Sequence, residues 1–268
     1  MGKIIACVNE KGGVSKTTTI KNVSIGLAML NKKVLVIDMD PSMNFTCSLS
    51  IETNDETGSI CEIIDRTIEM KEIPEGYGIQ HHREMIDVIG CSERMHDIES
   101  KLGSAMQREI VLRRYLMTIK DKYDYIFLDC PAGLGIFTVN ALFAADELII
   151  PMQPHILSIE AIQSLFKKIF QVRQLNGTGN KPEVLGGLFT QVRTSTNNDK
   201  KLMEQLREQY GQYMNFFKTI IPLTSKLPES DIAKCSIYVH APHSVAAMVH
   251  ADLVYEILQI EERNSLNG

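Results

Sequence analysis

Residues 3–18 have the sequence KIIACVNEKGGVSKTT, and this pattern predicts a specific local architecture. Residues 3–8 form a short apolar run bounded by a polar loop, which predicts a buried strand. From Lys16 to residue 30, apolar residues recur at helical spacing, which predicts an amphipathic helix. A loop with paired glycines joins the two. A strand, a glycine-containing loop and a helix in this order are typical of a phosphate-binding loop.

The loop offers several groups for phosphate and metal. Gly12 and Gly13 permit backbone N–H groups to turn inward around phosphate oxygens, because glycine has no Cβ. The following helix points its N-terminus at the same place and adds its dipole. We therefore expect Lys16 to reach the β- and γ-phosphates, the Thr17 hydroxyl to ligate Mg²⁺ and Thr18 to bond the α-phosphate.

The loop departs from the general phosphate-loop pattern at two positions. That pattern is G-x-x-x-x-G-K-[ST], and Glu10 and Ser15 occupy the positions of its two glycines. The preceding strand, the following helix and the Lys-Thr-Thr sequence at the right offset still indicate nucleotide binding. A polar turn that contains glycines by chance is the alternative, and the context favours it less.

Residues 11–18 resemble the deviant Walker A box, K-G-G-x-x-K-[ST]-[ST], of the ParA/MinD family of P-loop ATPases. The resemblance implies that ATP with Mg²⁺ is bound by Lys11, Gly12, Gly13, Val14, Ser15, Lys16, Thr17 and Thr18. Lys11 would be the signature lysine, which in this family reaches across a nucleotide-sandwich dimer to the partner's phosphates. Lys11 and Lys16 are therefore expected to be catalytic. Ser15 adds a side chain close to phosphate, so it bears on loop geometry and turnover.

Two aspartate motifs extend the resemblance. Residues 38–44, DMDPSMN, are similar to the switch I segment D-x-D-P-Q-x-N, which implies that Asp40 positions or activates the attacking water and that Asp38 supports the Mg²⁺ shell. Residues 126–135, IFLDCPAGLG, resemble the Walker B and switch II segment, in which an apolar strand delivers Asp129 to the metal. A capped Asp-Pro turn and a strand that ends in a non-functional aspartate are the respective alternatives.

The resemblance continues into the last third of the chain. Residues 188–193 and 221–222 lie where ParA proteins form the adenine pocket, which implies contacts from Thr190 and Pro222. Residues 235–248 are similar to the C-terminal pattern of ParA proteins. The resemblance therefore covers nearly the whole chain.

Strands and helices alternate along the sequence. Further strands are predicted at residues 33–37, 85–89, 124–128, 147–151, 184–189 and 216–221, and further helices at residues 107–119, 158–172 and 243–260. This alternation predicts an α/β fold with a doubly wound, mostly parallel sheet flanked by helices, of the P-loop NTPase type. Because the chain has 268 residues and starts directly at the first strand, we expect one ATPase domain over residues 1–268 without an N-terminal helix-turn-helix domain.

Composition narrows the class of protein. The net charge of -5 argues against a uniformly basic surface but not against a local basic patch. None of the six cysteines forms a C-x-x-C pair, which argues against a structural zinc site. The sequence shows no signal peptide and no apolar run of roughly 20 residues, so we expect a cytoplasmic protein.

Three other members of the family fit less well. A MinD-type protein binds membrane through a basic C-terminal helix, but here that end carries Glu261 and Glu262 and only Arg263, so we expect no stable membrane association. An iron protein needs cysteines that place a cluster on the dimer axis. Cys91 and Cys130 are the candidates, but Cys130 lies within the Walker B motif itself and no second cysteine follows at a matching place. A bacterial tyrosine kinase needs a tyrosine-rich tail, which is absent.

The resemblance therefore favours a ParA/Soj-type partition ATPase, with a MinD-like protein-positioning ATPase as the alternative. It implies an ATP-dependent homodimer that binds DNA non-specifically, associates with the nucleoid and hydrolyses ATP slowly until a ParB-like adaptor accelerates it. Such a protein segregates plasmid or chromosomal DNA. Candidate DNA contacts are Arg193, Lys200, Lys201, Lys218 and Lys226, of which Arg193 is the strongest. A solvated surface charge is the alternative for each.

Overall fold

The protein is described by a computed structural model that covers residues 2–54, 57–176 and 182–267. The strands are β1 (Lys3–Cys7), β2 (Val34–Asp38), β3 (Ile79–His81), β4 (Asp87–Ile89), β5 (Tyr125–Asp129), β6 (Glu147–Met152) and β7 (Glu183–Phe189). Within those ranges the seven strands form one sheet in the order β3-β4-β2-β5-β1-β6-β7. Every neighbouring pair is parallel except β3 and β4. The predicted doubly wound α/β fold is confirmed.

Helices cover both faces of the sheet. They are α1 (Lys16–Met29), α2 (Asn44–Ser48), α3 (Ile60–Ile68), α4 (Met95–Ser104), α5 (Val111–Ile119), α6 (Ile136–Ala144), α7 (Leu157–Leu175), α8 (Asn197–Tyr210), α9 (Lys226–Ile232), α10 (Ile237–His240) and α11 (Val245–Asn267). Alternate residues of β1 belong to different hydrophobic clusters: Ile4 and Ala6 to one, Ile5 and Cys7 to the other. This alternation shows that both faces of the central strand are buried, as a parallel sheet requires.

The centre of the sheet determines where a ligand can bind. Strand β1 pairs with β5 on one side and with β6 on the other, so the chain reverses its direction of winding at β1. In open parallel sheets the crevice at such a switch point lies outside the carboxyl ends of the strands. The loop after β1 lies at this crevice, beside the residues that follow β2 and β5.

The prediction of a strand at residues 216–221 is wrong. One isolated parallel bridge, between Phe216 and Gly187, lies in this segment, and a second, between Pro222 and Val192, lies just after it. Its apolar residues pack into the core without forming a continuous strand ladder. The Phe216 ring, for example, stacks on Phe189 with 5.2 Å between ring centroids. The short edge strand β3 is an element that periodicity did not predict.

Helix α11 packs against α1, and only part of its apolar surface is buried. Leu253 and Ile257 are fully buried, but Val245 and Met248 are 58% and 52% exposed. Glu261 is not a free acidic tail, since it accepts a hydrogen bond from the Tyr125 hydroxyl. Across the described part of the chain, no helix has both the length and the apolar character needed to traverse a membrane.

Candidate nucleotide site

The loop between β1 and α1 contains two residues in the left-handed region of backbone conformation. Gly13 has φ 71°, and Ser15, which is the N-cap of α1, has φ 65°. Glycine adopts this conformation freely, whereas a residue with a side chain is strained there by about 1–3 kcal/mol. Ser15 therefore adopts a backbone conformation that favours glycine, at a position where the general pattern has glycine, and the surrounding structure must hold it.

The two lysines of the loop have different environments. Lys16 is only 7% exposed, and its Nζ donates to the carbonyl of Lys11 at 3.4 Å. The Lys11 ammonium donates to Gln153 Oε1 at 3.1 Å. Lys16 is thus positioned by the loop itself, and Lys11 is held by a residue that follows β6.

Thr17 and Asp129 form the part of the site that fits a divalent cation. The Thr17 hydroxyl donates to Asp129 Oδ2 at 2.7 Å, whereas the fully buried Asp129 Oδ1 has no hydrogen-bond partner among the described residues. Burial, followed by the negative charge of Asp38, raises the pKa of Asp129 well above its usual range. A hydroxyl and an unpaired buried carboxylate oxygen are hard ligands of the kind that Mg²⁺ prefers. These residues therefore fit Mg²⁺.

Asp38 holds the backbone of the following segment. Its Oδ1 accepts from the Asp40 amide at 3.1 Å, and its Oδ2 accepts from both the amide and the hydroxyl of Thr46 at 2.9 and 2.7 Å. Burial raises the pKa of Asp38 to about 6 despite these hydrogen bonds. Since both carboxylate oxygens already accept hydrogen bonds, the geometry is that of a residue that supports the metal shell from behind, and its metal role stays a prediction.

Asp40 is more accessible than Asp38. It is half-buried, its Oδ1 accepts from the Ser42 amide at 2.9 Å, and it lines the cavity at the loop. This cavity of about 880 Å³ is also lined by residues 12–18, Ala132 and Lys234. The structure therefore brings the phosphate loop and the switch I aspartate to one cavity. Its volume lies in the range of small-molecule sites.

The predicted adenine contacts lie elsewhere. Thr190 is fully buried, and its hydroxyl donates to the Val14 carbonyl at 3.1 Å, so this side chain supports the loop. Pro222 is half-buried beside Val192. Among the described residues neither Thr190 nor Pro222 lines the cavity. Their contact with a base stays a prediction.

The basic candidates fall into two groups. Arg193, Lys200 and Lys201 are exposed at and just before the start of α8, where the Arg193 amide donates to Asp199 at 2.8 Å. Lys226 is already paired with Glu229 at 2.7 Å. The Lys218 side chain is exposed beside Glu256, which accepts from the Lys218 amide. The structure therefore brings Arg193, Lys200 and Lys201 together at the start of α8.

Sequence reasoning missed two glutamines at the site. Gln153 Nε2 and Gln191 Nε2 both donate to the Gly13 carbonyl, at 3.0 and 2.7 Å. Each is a polar residue just after a buried strand, β6 or β7. Because the carboxyl ends of parallel strands meet at one edge, this position was a signal that could have identified them.

Comparison with known proteins agrees with the geometry. The family described as AAA domain matches residues 2–180. The chain is 34% identical over 257 residues to the sporulation initiation inhibitor protein Soj of Bacillus subtilis, with 96% of this chain and 98% of Soj covered.

Solved structures share the fold. Cobyrinic acid a,c-diamide synthase from Mycobacterium smegmatis, solved with bound ATP analog and magnesium, has a TM-score of 0.82 at 23% identity. The match covers 98% of this chain and 96% of the synthase chain. The cell division ATPase MinD of Pyrococcus furiosus has a TM-score of 0.76 at 23% identity. The match covers 97% of this chain and 100% of the MinD chain.

The chain belongs to the ParA/MinD family of P-loop ATPases with a deviant Walker A box.

Proposed function

We propose that this protein is an ATP-dependent, dimerising partition ATPase that binds DNA non-specifically and segregates plasmid or chromosomal DNA with a ParB-like adaptor. The observation that carries the proposal is one cavity lined by the phosphate loop and Asp40, with the buried Asp129 bonded to Thr17 of that loop. The identity of 34% to Soj over nearly the full length of both chains supports the same class.

Each side chain has a proposed part in ATP hydrolysis. Backbone amides of the loop and the Lys16 ammonium bind the phosphates, and Thr17 with Asp129 holds Mg²⁺, supported by Asp38. Mg²⁺, when bound, neutralises charge on the phosphate oxygens. Asp40 orients the attacking water at the mouth of the cavity.

Lys11 has a separate proposed part, because it serves the dimer. Among the described residues its ammonium donates to the neutral amide oxygen of Gln153 and pairs with no carboxylate. An ammonium held only by a neutral group can exchange that partner for a phosphate, which offers a stronger, charge-assisted hydrogen bond. Lys11 is therefore proposed to leave Gln153 and reach the nucleotide of the second protomer.

DNA binding is proposed to come from the exposed group Arg193, Lys200 and Lys201. A few cations on one protomer bind DNA weakly, but a dimer presents two such groups and gains affinity from the second contact. Since the net charge is -5, binding depends on this local group and should weaken steeply with salt.

A gel shift on random duplex DNA at low salt tests the proposal. We expect a shift with ATP and none with ADP, and a weaker shift for Arg193→Ala. Lys71→Ala is the matched control, since Lys71 is a 64% exposed cation of the segment after α3. Absence of an ATP-dependent shift would contradict the partition role and favour the MinD-like alternative, which acts on a protein or a membrane.

Asp40→Ala tests the hydrolytic part of the proposal. We expect phosphate release to fall by about 10² or more, because a residue that orients the attacking group contributes on that scale. The ATP-bound dimer should then accumulate in light scattering after gel filtration. Unchanged turnover would remove Asp40 from the mechanism.

A further inference from the structure

A continuous row of hydrogen-bonded side chains runs beside the phosphate loop. Lys11 donates to Gln153 Oε1, and Gln153 Nε2 donates to Gln191 Oε1 at 2.9 Å. Gln191 Nε2 in turn donates to Ser15 Oγ at 2.9 Å and to the Gly13 carbonyl at 2.7 Å. Both glutamines therefore contact the loop, and Gln191 reaches it at two points.

The contacts of Gln191 coincide with the strained position of the loop. Ser15 has φ 65°, and Gln191 itself has φ 54°, so two residues with side chains adopt the left-handed conformation and face each other. Residues in this conformation persist only where other contacts hold them in place. Gln191 holds Ser15 directly through a hydrogen bond to its hydroxyl, and both glutamine amides donate to the Gly13 carbonyl.

We propose that Gln191 is a positioning residue for ATP, which holds the phosphate loop in its binding conformation because residue 15 is serine and not glycine. The inference rests on the proposed function in that it takes the loop to bind ATP. A glycine at this position would adopt the left-handed conformation without support. With serine, an unsupported loop relaxes toward negative φ and turns its amides away from the phosphates, so part of the binding energy goes into restoring them.

Gln153 extends the same support to the signature lysine. It follows β6, and Gln191 follows β7, so both amides are carried by buried parallel strands that pair with each other. The loop, with its strained Ser15, is thus held by residues that follow two buried strands of the sheet. This arrangement sets the loop conformation before the nucleotide arrives.

A double-mutant cycle tests the proposal. Gln191→Met keeps the length of the side chain and removes every hydrogen bond of its amide. Dissociation constants of the slowly hydrolysed analogue ATPγS with Mg²⁺ are measured by calorimetry for Gln191→Met in the Ser15 protein and in the Ser15→Gly protein. We expect affinity to fall about tenfold in the Ser15 protein and less than about threefold in the Ser15→Gly protein.

Two controls separate positioning from folding. Gln205→Ala changes an exposed glutamine on α8 and should leave affinity as in the wild type. The melting temperature without nucleotide should differ by less than about 2 °C between Gln191→Met and wild type, which corresponds to about 1 kcal/mol or less. If Gln191→Met does not fold, Gln191→Glu takes its place, because it keeps the acceptor and sets a carboxylate against the Gly13 carbonyl.

Three outcomes would overturn the inference. Unchanged affinity of the variant would show that the loop needs no support from Gln191. An equal loss in the Ser15 and Ser15→Gly proteins would show that Gln191 does not act through Ser15. Failure of the wild type to bind ATPγS would overturn the proposed function as well. DNA is absent from this assay, so a negative gel shift would contradict the partition role and leave this result standing.

Discussion

The two ends of the parallel strands hold their charged groups in opposite ways. At the amino end, Lys3 lies between two carboxylates, 2.6 Å from Glu147 and 3.6 Å from Glu261. At the carboxyl end, the charge of Asp38 raises the pKa of the buried Asp129 beyond the effect of burial, and Asp129 Oδ1 lacks a hydrogen-bond partner among the described residues. One end carries its own counter-charge, and the other brings like charges together.

This difference indicates which end is built for a ligand. A buried carboxylate is stable when a cation pairs with it and unfavourable when a second carboxylate lies beside it. At the amino end a lysine of the chain is bonded to the carboxylates, whereas at the carboxyl end the buried carboxylates fit a cation from outside. Removal of a charge should therefore lower the free energy of unfolding at the amino end and raise it at the buried carboxylate pair. The predictions below use that difference.

Lys16→Ala should have the largest effect, at the carboxyl end. The nearly buried ammonium is the main cation that the chain itself offers to the β- and γ-phosphates, so affinity for ATP should fall by about 10³ or more. Isothermal calorimetry with Mg²⁺ present measures it, and Lys33→Ala, at an exposed lysine, is the control. Tight ATP binding by Lys16→Ala would contradict the phosphate-loop assignment.

His250 offers a buried titratable group on α11, away from the paired carboxylates, since its imidazole bonds the Ala246 carbonyl. Burial lowers the pKa of His250 to about 4 from its usual 6.5. The unfolded chain then takes up a proton near pH 6.5 and the folded chain only near pH 4. Stability from this group is present above pH 6.5 and is lost as the pH falls to 4, by about 3 kcal/mol in total.

The measurement compares wild type with His250→Gln in urea at several pH values. The free energy of unfolding of the wild type should fall more steeply between pH 6.5 and 4 than that of the variant. Parallel curves would show that the imidazole is protonated equally in the folded and unfolded states.

Lys3→Met tests the amino end. Removal of the shared cation leaves Glu147 and Glu261 as neighbouring carboxylates, 9% and 13% exposed, and should lower the free energy of unfolding by about 2 kcal/mol. Lys122→Met is the control, because Lys122 pairs with the 84% exposed Glu75 and such surface pairs contribute under about 1 kcal/mol. Equal effects of the two variants would contradict the view of the amino end as a self-contained cluster.

Asp129→Asn should have the smallest effect, and the opposite sign. It removes one of two buried like charges and keeps an acceptor for Thr17, so the nucleotide-free protein should gain about 1 kcal/mol, or about 2–4 °C in melting temperature. The further stabilisation by MgATP should shrink. Asp121→Asn, at an exposed aspartate, is the control, and a nucleotide-free variant less stable than wild type would refute the like-charge argument.

Much of the site could be predicted from short stretches of sequence. The unit of β1, loop and α1, and the aspartates that end β2 and β5, follow from residues close together in the chain. Parallel strands then bring their carboxyl ends to one edge, whatever lies between them. The segment at residues 216–221 shows the limit, because apolar periodicity cannot distinguish a ladder strand from a segment that packs its aromatic rings into the core.

The sequence by itself determined the phosphate loop, its lysines and the class of fold, because these depend on local spacing. It did not determine how Ser15 is held, since Gln191 lies 176 positions away from it. Nor did it determine the contact between Lys11 and Gln153, which lie 142 positions apart. Such contacts depend on which strands become neighbours, and pairing of β1 with β6 and of β6 with β7 is a property of the folded sheet. The physical reason is that a hydrogen bond needs about 3 Å between two atoms, and only the packed strands bring these side chains that close.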